Sequence, residues 1–255
     1  MTIIQAIIIA IVEGLTEFLP VSSTGHMILT SSLLGVENNS FLKTFEISIQ
    51  LGAILAIVIM YAKRFLRNFE IYKKLIIAFI PTAIIGFLAY GFIKEYLFNS
   101  IIVSVTLILG GILLILIDKR LVTQVSKYKD PEDVSLKHAF YIGLIQCISM
   151  IPGVSRAGAT IVGGVFNGFN KKQAIEFSFL LAVPTMFAAT GYDLLKTPIE
   201  FNNNEVTLLI IGLITAFIVA WIAVKAFLAF IEKFGFAYFG WYRILIGLLF
   251  LAFVH

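Results

Sequence analysis

Residues 2–26 read TIIQAIIIAIVEGLTEFLPVSSTGH. An apolar run begins at the second residue, carries Glu13 and Glu17 in its last turns and stops at Pro20. Four small residues follow, Ser22-Ser23-Thr24-Gly25, and then a second apolar stretch, 24–36. A membrane-spanning helix needs about 20 apolar residues. The second stretch is too short for that, and the first holds two carboxylates on one helix face before a proline ends it. The pair reads as a helix–loop–helix that enters the membrane and returns on the same side. The pattern recurs downstream, where 136–151 stops at Pro152 and 156–168 is short and rich in glycine. Non-helical backbone at such depth is tolerated only when buried in protein or lining a wet cavity. Both loops are therefore expected to be buried and polar.

The rest of the chain agrees with a membrane. Of 255 residues 60% are hydrophobic and 13% charged, with a mean hydropathy of +0.99; a soluble domain carries about 25% charged residues. Six further runs approach spanning length: 45–62, 75–93, 101–117, 173–195, 206–230 and 238–254. The fold class is an all-α integral membrane protein. The net charge of +4 does not indicate nucleic acid, because the basic residues sit in short loops between apolar runs. Cys147 is alone, which excludes a disulfide framework and a cysteine metal site. No organic cofactor is expected. Lys or Arg is absent before Lys43, so the basic n-region of a cleavable signal peptide is missing.

The basic residues also orient the chain. Lys63, Arg64, Arg67, Lys73, Lys74, Lys119, Arg120, Lys127, Lys129, Lys137, Lys171, Lys172, Lys225 and Lys233 fall on one side, and only Lys43, Lys94 and Lys196 on the other. By the positive-inside rule the first set is cytoplasmic, and both termini face out. Three spans separate the hairpins, so these enter from opposite faces. The whole chain, 1–255, is then one membrane domain with an inverted-topology repeat, each half a re-entrant helical hairpin plus three transmembrane helices. Repeat 1 covers about 1–118, a cytoplasmic linker 119–135, and repeat 2 about 136–255. Pro20-Val21-Ser22-Ser23 echoes Pro152-Gly153-Val154-Ser155, and Phe45-Glu46-Ile47-Ser48 echoes Ile175-Glu176-Phe177-Ser178. Such repeats place functional sites near the midplane, where broken helices meet.

The polar residues concentrate in the two hairpins. Charges in an apolar setting are expensive and usually functional, which singles out Glu13 and Glu17. One of Ser22, Ser23 and Thr24 is expected to cap the following helix, whose free amides also make an anion site. His26 sits in the first turn of that helix, with two carboxylates, three hydroxyls and Gly25 close in sequence. Arg156 reads as the lone arginine in an apolar stretch away from the loops. It should pair with Glu17, with a phosphate, or with each in turn, and its flat fork suits phosphate oxygens. Gly153 and the neighbouring glycines let the backbone approach an anion closely. Glu46 and Gln50 are polar enough to face the interior, while Pro81, Pro184 and Gly86 mark kinks and packing.

Three stretches carry a resemblance: 13–26, Pro152–Thr160, and Lys43-Thr44-Phe45-Glu46 followed by Ile49-Gln50-Leu51-Gly52. The first two look like the signatures of the undecaprenyl pyrophosphate phosphatases, the family linked to bacitracin resistance, and the match covers the chain in order and spacing. The resemblance implies a bacterial inner-membrane enzyme of cell-wall (peptidoglycan) synthesis. It would remove the terminal phosphate of a polyprenyl pyrophosphate lipid at the outer face. Family roles carry over to Glu13, Glu17, Ser23, His26, Ser155, Arg156 and Thr160. The chain departs at Ala157, where the family often has Ser.

On this reading Glu17, Ser23, His26 and Arg156 are catalytic. Ser22, Thr24, Gly25, Gly153, Ser155 and Thr160 bind the phosphates. Two nucleophiles stand open: Ser23, activated by Glu17 or His26, and His26 itself, forming a phosphohistidine. A divalent cation, Mg2+ or Ca2+, on Glu13 and Glu17 would neutralise substrate charge. The partners expected are the lipid substrate and membrane lipids, with no nucleic acid and with self-association into a homo-oligomer left open. A secondary transporter or lipid flippase is the alternative, because inverted repeats and midplane charges serve transport too.

Overall fold

The computed structural model describes residues 1–67, 69–93, 97, 99–121, 125–196 and 201–253. Among them are eleven α-helices and no strand: α1 Ile3–Thr16, α2 Ser23–Leu33, α3 Ser40–Met60, α4 Ala62–Arg67, α5 Glu70–Phe92, α6 Ser100–Leu121, α7 Leu136–Gln146, α8 Arg156–Phe166, α9 Lys171–Lys196, α10 Asn203–Phe234 and α11 Ala237–Phe253. Polar caps start many of them. Thr2 and Gln5 form a reciprocal capping box on α1, and Asn202 and Glu205 form another on α10.

The helices α3, α5, α6, α9 and α10 are long and apolar enough to cross a membrane. The sixth expected span, 238–254, is helical over Ala237–Phe253, 17 residues, or about 26 Å at 1.5 Å per residue; Val254 lies outside the described residues. By contrast α1 has 14 residues, and α2, α7 and α8 have 11 each. At about 21 and 16 Å these fall short of a hydrocarbon core of about 30 Å. The protein is thus an all-helical, multi-pass membrane protein. Ile210, Ile214, Ile218 and Ile222, four apart on α10, stand exposed as a stripe, which in a bilayer is lipid-facing surface rather than a defect.

Packing follows a paired pattern. Helix α1 lies on α10 and α7 on α5; α1 touches α2 and α7 touches α8; α3 meets both α9 and α10, α9 also meets α5, and α6 lies along α11. Small residues bring the backbones close, as membrane helix pairs require. A Cβ on Gly14 would come within 2.8 Å of the Ala216 carbonyl on α10, and one on Gly143 would collide with that of Ala78 on α5. Pro81 and Pro184 lie inside α5 and α9.

Ion pairs gather at the end rich in basic residues. Arg64 meets Glu176 at 2.6 Å, Glu132 at 3.1 Å and Asp130 at 3.7 Å. Asp118 accepts from the amides of Phe236 and Ala237 at the start of α11 and pairs with Lys171 at 3.5 Å. Lys94 and residues 122–124 of the expected linker lie outside the described residues.

Candidate active site

The end of α1 and the turn after it carry the first set of side chains. Glu13 and Glu17 point inward, 0% and 8% exposed. The chain turns through Pro20 and Val21, and α2 starts at Ser23. Ser23 Oγ donates to Glu17 Oε2 at 2.6 Å. From the other hairpin, Arg156 Nη2 donates to Glu17 Oε1 at 3.1 Å, so each oxygen of this carboxylate has its own partner. The expected Arg156–Glu17 pair is therefore formed. Arg156 opens α8, places Nη1 on the Ser178 carbonyl at 3.2 Å and stacks over the Phe18 ring at 5.4 Å. A hydroxyl, a carboxylate and a guanidinium stand in a chain of charge-assisted hydrogen bonds.

Glu13 is left over. Both its oxygens are buried without a hydrogen-bond partner, and its carboxyl lies against that of Glu17, with Glu46 and Arg156 in electrostatic reach. Glu46 accepts from Ser31 at 2.9 Å. A buried carboxyl that meets no donor, set against a second carboxylate, fits a cation that completes its shell on substrate oxygens; among the described residues no group of three or more His, Cys, Asp and Glu could hold one alone.

His26 belongs to a different contact set from the one its sequence position suggests. Nδ1 lies 2.8 Å from the Ser22 carbonyl and Nε2 lies 2.7 Å from the Tyr242 hydroxyl. A carbonyl only accepts, so Nδ1 carries the hydrogen, and in the neutral ring Nε2 accepts from Tyr242. The hydroxyl of Ser23 is therefore engaged by Glu17, not by His26.

Ser22 occupies the N-cap position of α2 but makes no side-chain cap bond. The hydroxyl cap expected from Ser22, Ser23 or Thr24 is absent at this position, where Ser22 adopts φ +71°. In the second hairpin Ser155 adopts φ +77°, and there Oγ does accept from the Gly158 amide, at 3.1 Å. Among the described residues these two serines are the non-glycine positions with positive φ. Gly153, at φ +90°, sits where a Cβ would collide with the Thr106 hydroxyl. Thr160 is turned away from Glu17: its hydroxyl bonds Ser178 Oγ at 2.6 Å and the Arg156 carbonyl at 2.9 Å. Gly25 packs beside Val103 of α6. Thr24 borders a cavity of about 490 Å³, lined also by Met150, Pro152, Phe79, Phe87 and Tyr192.

Two residues escaped the sequence reading. Tyr242 holds the far nitrogen of His26. Arg243 is 1% exposed and donates to carbonyls of both turns, so Arg156 is not the lone arginine of the apolar stretches. The signal was present: an arginine inside the run 238–254 is as expensive as one at 156.

A family model described as "Bacitracin resistance protein BacA" matches residues 6–249. The chain is 55% identical over 257 residues to the undecaprenyl-diphosphatase of Aquifex aeolicus (strain VF5), covering 99% of each chain. It is 50% identical over 254 residues to that of Persephonella marina (strain DSM 14350 / EX-H1), covering 100% of each. With that of Bdellovibrio bacteriovorus (strain ATCC 15356 / DSM 50701 / NCIMB 9529 / HD100) it shares 48% over 255 residues, 100% of this chain and 97% of the relative.

Proposed function

The chain belongs to the bacitracin resistance protein BacA family, and from that membership we propose that it acts as an undecaprenyl-diphosphatase. It hydrolyses undecaprenyl pyrophosphate to undecaprenyl phosphate and inorganic phosphate. The observation that carries the chemistry is the buried chain Ser23–Glu17–Arg156, with contacts of 2.6 and 3.1 Å. A serine hydroxyl is a poor nucleophile unless a base takes its proton, and Glu17 already accepts from it. The Ser23 oxygen attacks the terminal phosphorus, its proton passes to Glu17, and the phosphorus–oxygen bond to the lipid phosphate breaks. Glu17 gives that proton up to the departing lipid phosphate and, as a carboxylate again, takes one from the water that attacks the phosphoserine. The Ser23 oxygen recovers a proton as its bond to phosphorus breaks and inorganic phosphate leaves. Arg156 shifts from Glu17 to the phosphate oxygens as substrate enters, its fork suited to both. First-turn amides of α2 face the same anion. His26, held by Tyr242, lies on the route by which the proton from Glu17 reaches the leaving lipid phosphate.

Glu13 and Glu17 would hold a divalent cation, Mg2+ or Ca2+, which when bound neutralises pyrophosphate charge. The cavity beside Thr24 and Pro152 takes the first part of the prenyl tail, and the bilayer takes the rest. Phosphate release from a short polyprenyl pyrophosphate in detergent, stopped by a chelator, is the expected result. Binding without release would favour a carrier.

The short pairs α1–α2 and α7–α8 are re-entrant hairpins of an inverted repeat. The paired packing supports this: exchanging the halves maps α1 on α10 onto α7 on α5, and leaves α3 on α9 and α6 on α11 unchanged. By the basic bias the site opens to the outer face of the inner membrane, where bacitracin resistance would arise. In a Cys147→Ser background, Asn99→Cys and Asn203→Cys should label from outside intact spheroplasts. Lys127→Cys should not, and labelling of it alone inverts the orientation.

A further inference from the structure

Arg243 lies in the middle of α11 and is buried. Its guanidinium is spent entirely on main-chain carbonyls. Nη1 donates to Pro20 at 2.9 Å and Val154 at 3.0 Å, Nη2 to Gly153 at 2.8 Å and Thr106 at 3.1 Å, and Nε to Leu107 at 3.3 Å. Pro20 belongs to the turn that leads into Ser23, and Gly153 and Val154 to the turn that leads into Arg156. A single nitrogen therefore joins the two turns. Among the described residues no Asp or Glu forms an ion pair with it, in contrast to Arg64 and Arg156.

Two physical consequences follow. The peptide unit is planar, so a carbonyl held by Arg243 fixes the direction of the N–H on the far side of that peptide. Arg243 thus sets three peptides just ahead of the positive-φ serines Ser22 and Ser155. Its charge, meanwhile, is solvated by carbonyl dipoles but not neutralised. A buried charge without an opposite charge is costly, and it favours any anion that binds between the turns it holds.

We propose that Arg243 is a positioning residue for the hydrolysis, locking the Ser23 turn to the Arg156 turn and supplying a buried positive charge whose counter-ion is the bound pyrophosphate. It does not touch the substrate; it acts through the turns. The inference rests on the phosphatase reading.

Three variants separate geometry from charge. Arg243→Lys keeps the charge and loses the fork. Arg243→Met loses both. Gly110→Ala keeps the arginine but places a Cβ against its Nη2 and 2.7 Å from Cζ, displacing the fork from outside the site. Each is purified in detergent and assayed on a short polyprenyl pyrophosphate, with melting temperature recorded. Arg243→Lys should lose about tenfold or more in kcat with KM nearly unchanged, and Gly110→Ala should lose kcat in the same sense. Arg243→Met should also raise KM, by about fivefold or more. A lower melting temperature with wild-type kcat and KM overturns the proposal, because Arg243 would then be only a staple. If the arginine variants do not fold, Gly110→Ala decides, and wild-type turnover in it overturns the proposal. Absence of hydrolysis by the wild-type protein sinks the phosphatase reading instead.

Discussion

The two turns, 17–22 and 151–155, share a backbone device and differ in what they leave unsatisfied. Each ends in a serine at positive φ, Ser22 and Ser155, with a glycine three residues on, Gly25 and Gly158. Nine residues before each serine is a fully buried side chain, Glu13 in one and Gln146 in the other. Gln146 Nε2 donates to Thr82 at 2.7 Å and Thr185 at 3.3 Å while its Oε1 meets no donor, whereas neither oxygen of Glu13 meets a donor and its carboxyl faces that of Glu17. Ser155 caps its helix and Ser22 does not. The second turn has a capped helix start and a Gln146 amide that is bonded through its nitrogen, and it lends the site a cation, Arg156, whose Nε stays unpartnered. The first is left open, with a free carboxylate, uncapped amides and a hydroxyl already bonded to a base. Positive φ at a non-glycine residue costs about 1–3 kcal/mol and tends to persist at functional sites. Strain alone does not say which turn holds the chemistry; the unsatisfied groups do.

The largest expected effect tests that division. Ser23→Ala and Glu17→Gln should each lower kcat by about 100- to 10,000-fold, the range for losing a positioned proton acceptor or its partner. Ser155→Ala should lower it only a few-fold. Ser23→Ala should also trap no phosphoenzyme on quenching, while an acid-labile phosphohistidine would move the nucleophile to His26. Retention of a third of wild-type turnover in both Ser23→Ala and His26→Ala would shift the chemistry to the second turn.

A middle-sized effect follows from Glu13. Glu13→Gln gives the first turn the residue type that the second carries at Gln146. A buried carboxylate without partners costs about 1–3 kcal/mol or more relative to a satisfied group, and a neutral amide is cheaper to bury. The variant should therefore melt higher in detergent while losing about tenfold in activity and requiring more divalent cation. A variant that melts lower at unchanged cation requirement would mean that Glu13 is part of the scaffold.

Much of this was legible beforehand, and the gaps have physical causes. Helix existence followed from apolar run length, and the short pairs from Pro20 and Pro152 at the ends of runs with polar loops. The Glu17–Arg156 pair followed from the cost of an unpaired guanidinium in an apolar setting. The same cost falls on Arg243 inside the run 238–254, but its neighbours Trp241 and Tyr242 are residue types that also mark a membrane surface, where an arginine is cheap. Side-chain direction at the turns was beyond reach, because a positive φ at serine leaves no mark in composition or spacing. The His26–Tyr242 contact joins residues 216 positions apart, and the missing α2 cap is not a matter of φ alone, because Ser155 caps its helix at nearly the same φ as Ser22.

The smallest effect sharpens the comparison at its most similar point, the two positive-φ serines. A capping hydroxyl is worth about 1 kcal/mol to a helix. Ser155→Ala removes the bond from the Gly158 amide and should destabilise the protein by about that amount. Ser22→Ala removes no cap bond, and the carbonyl that His26 uses is main chain, so its stability should stay within about 0.5 kcal/mol of wild type. In activity the order should reverse. An uncapped helix start leaves amides and the Ser22 hydroxyl for an anion, so Ser22→Ala should raise KM a few-fold, and Ser155→Ala should act mainly through stability. Denaturant midpoints read beside KM separate the two. Equal destabilisation by both alanines would mean that the first turn is closed within the protein like the second. The open helix start would then be lost as the binding element, leaving Arg156 and a bound cation to hold the pyrophosphate.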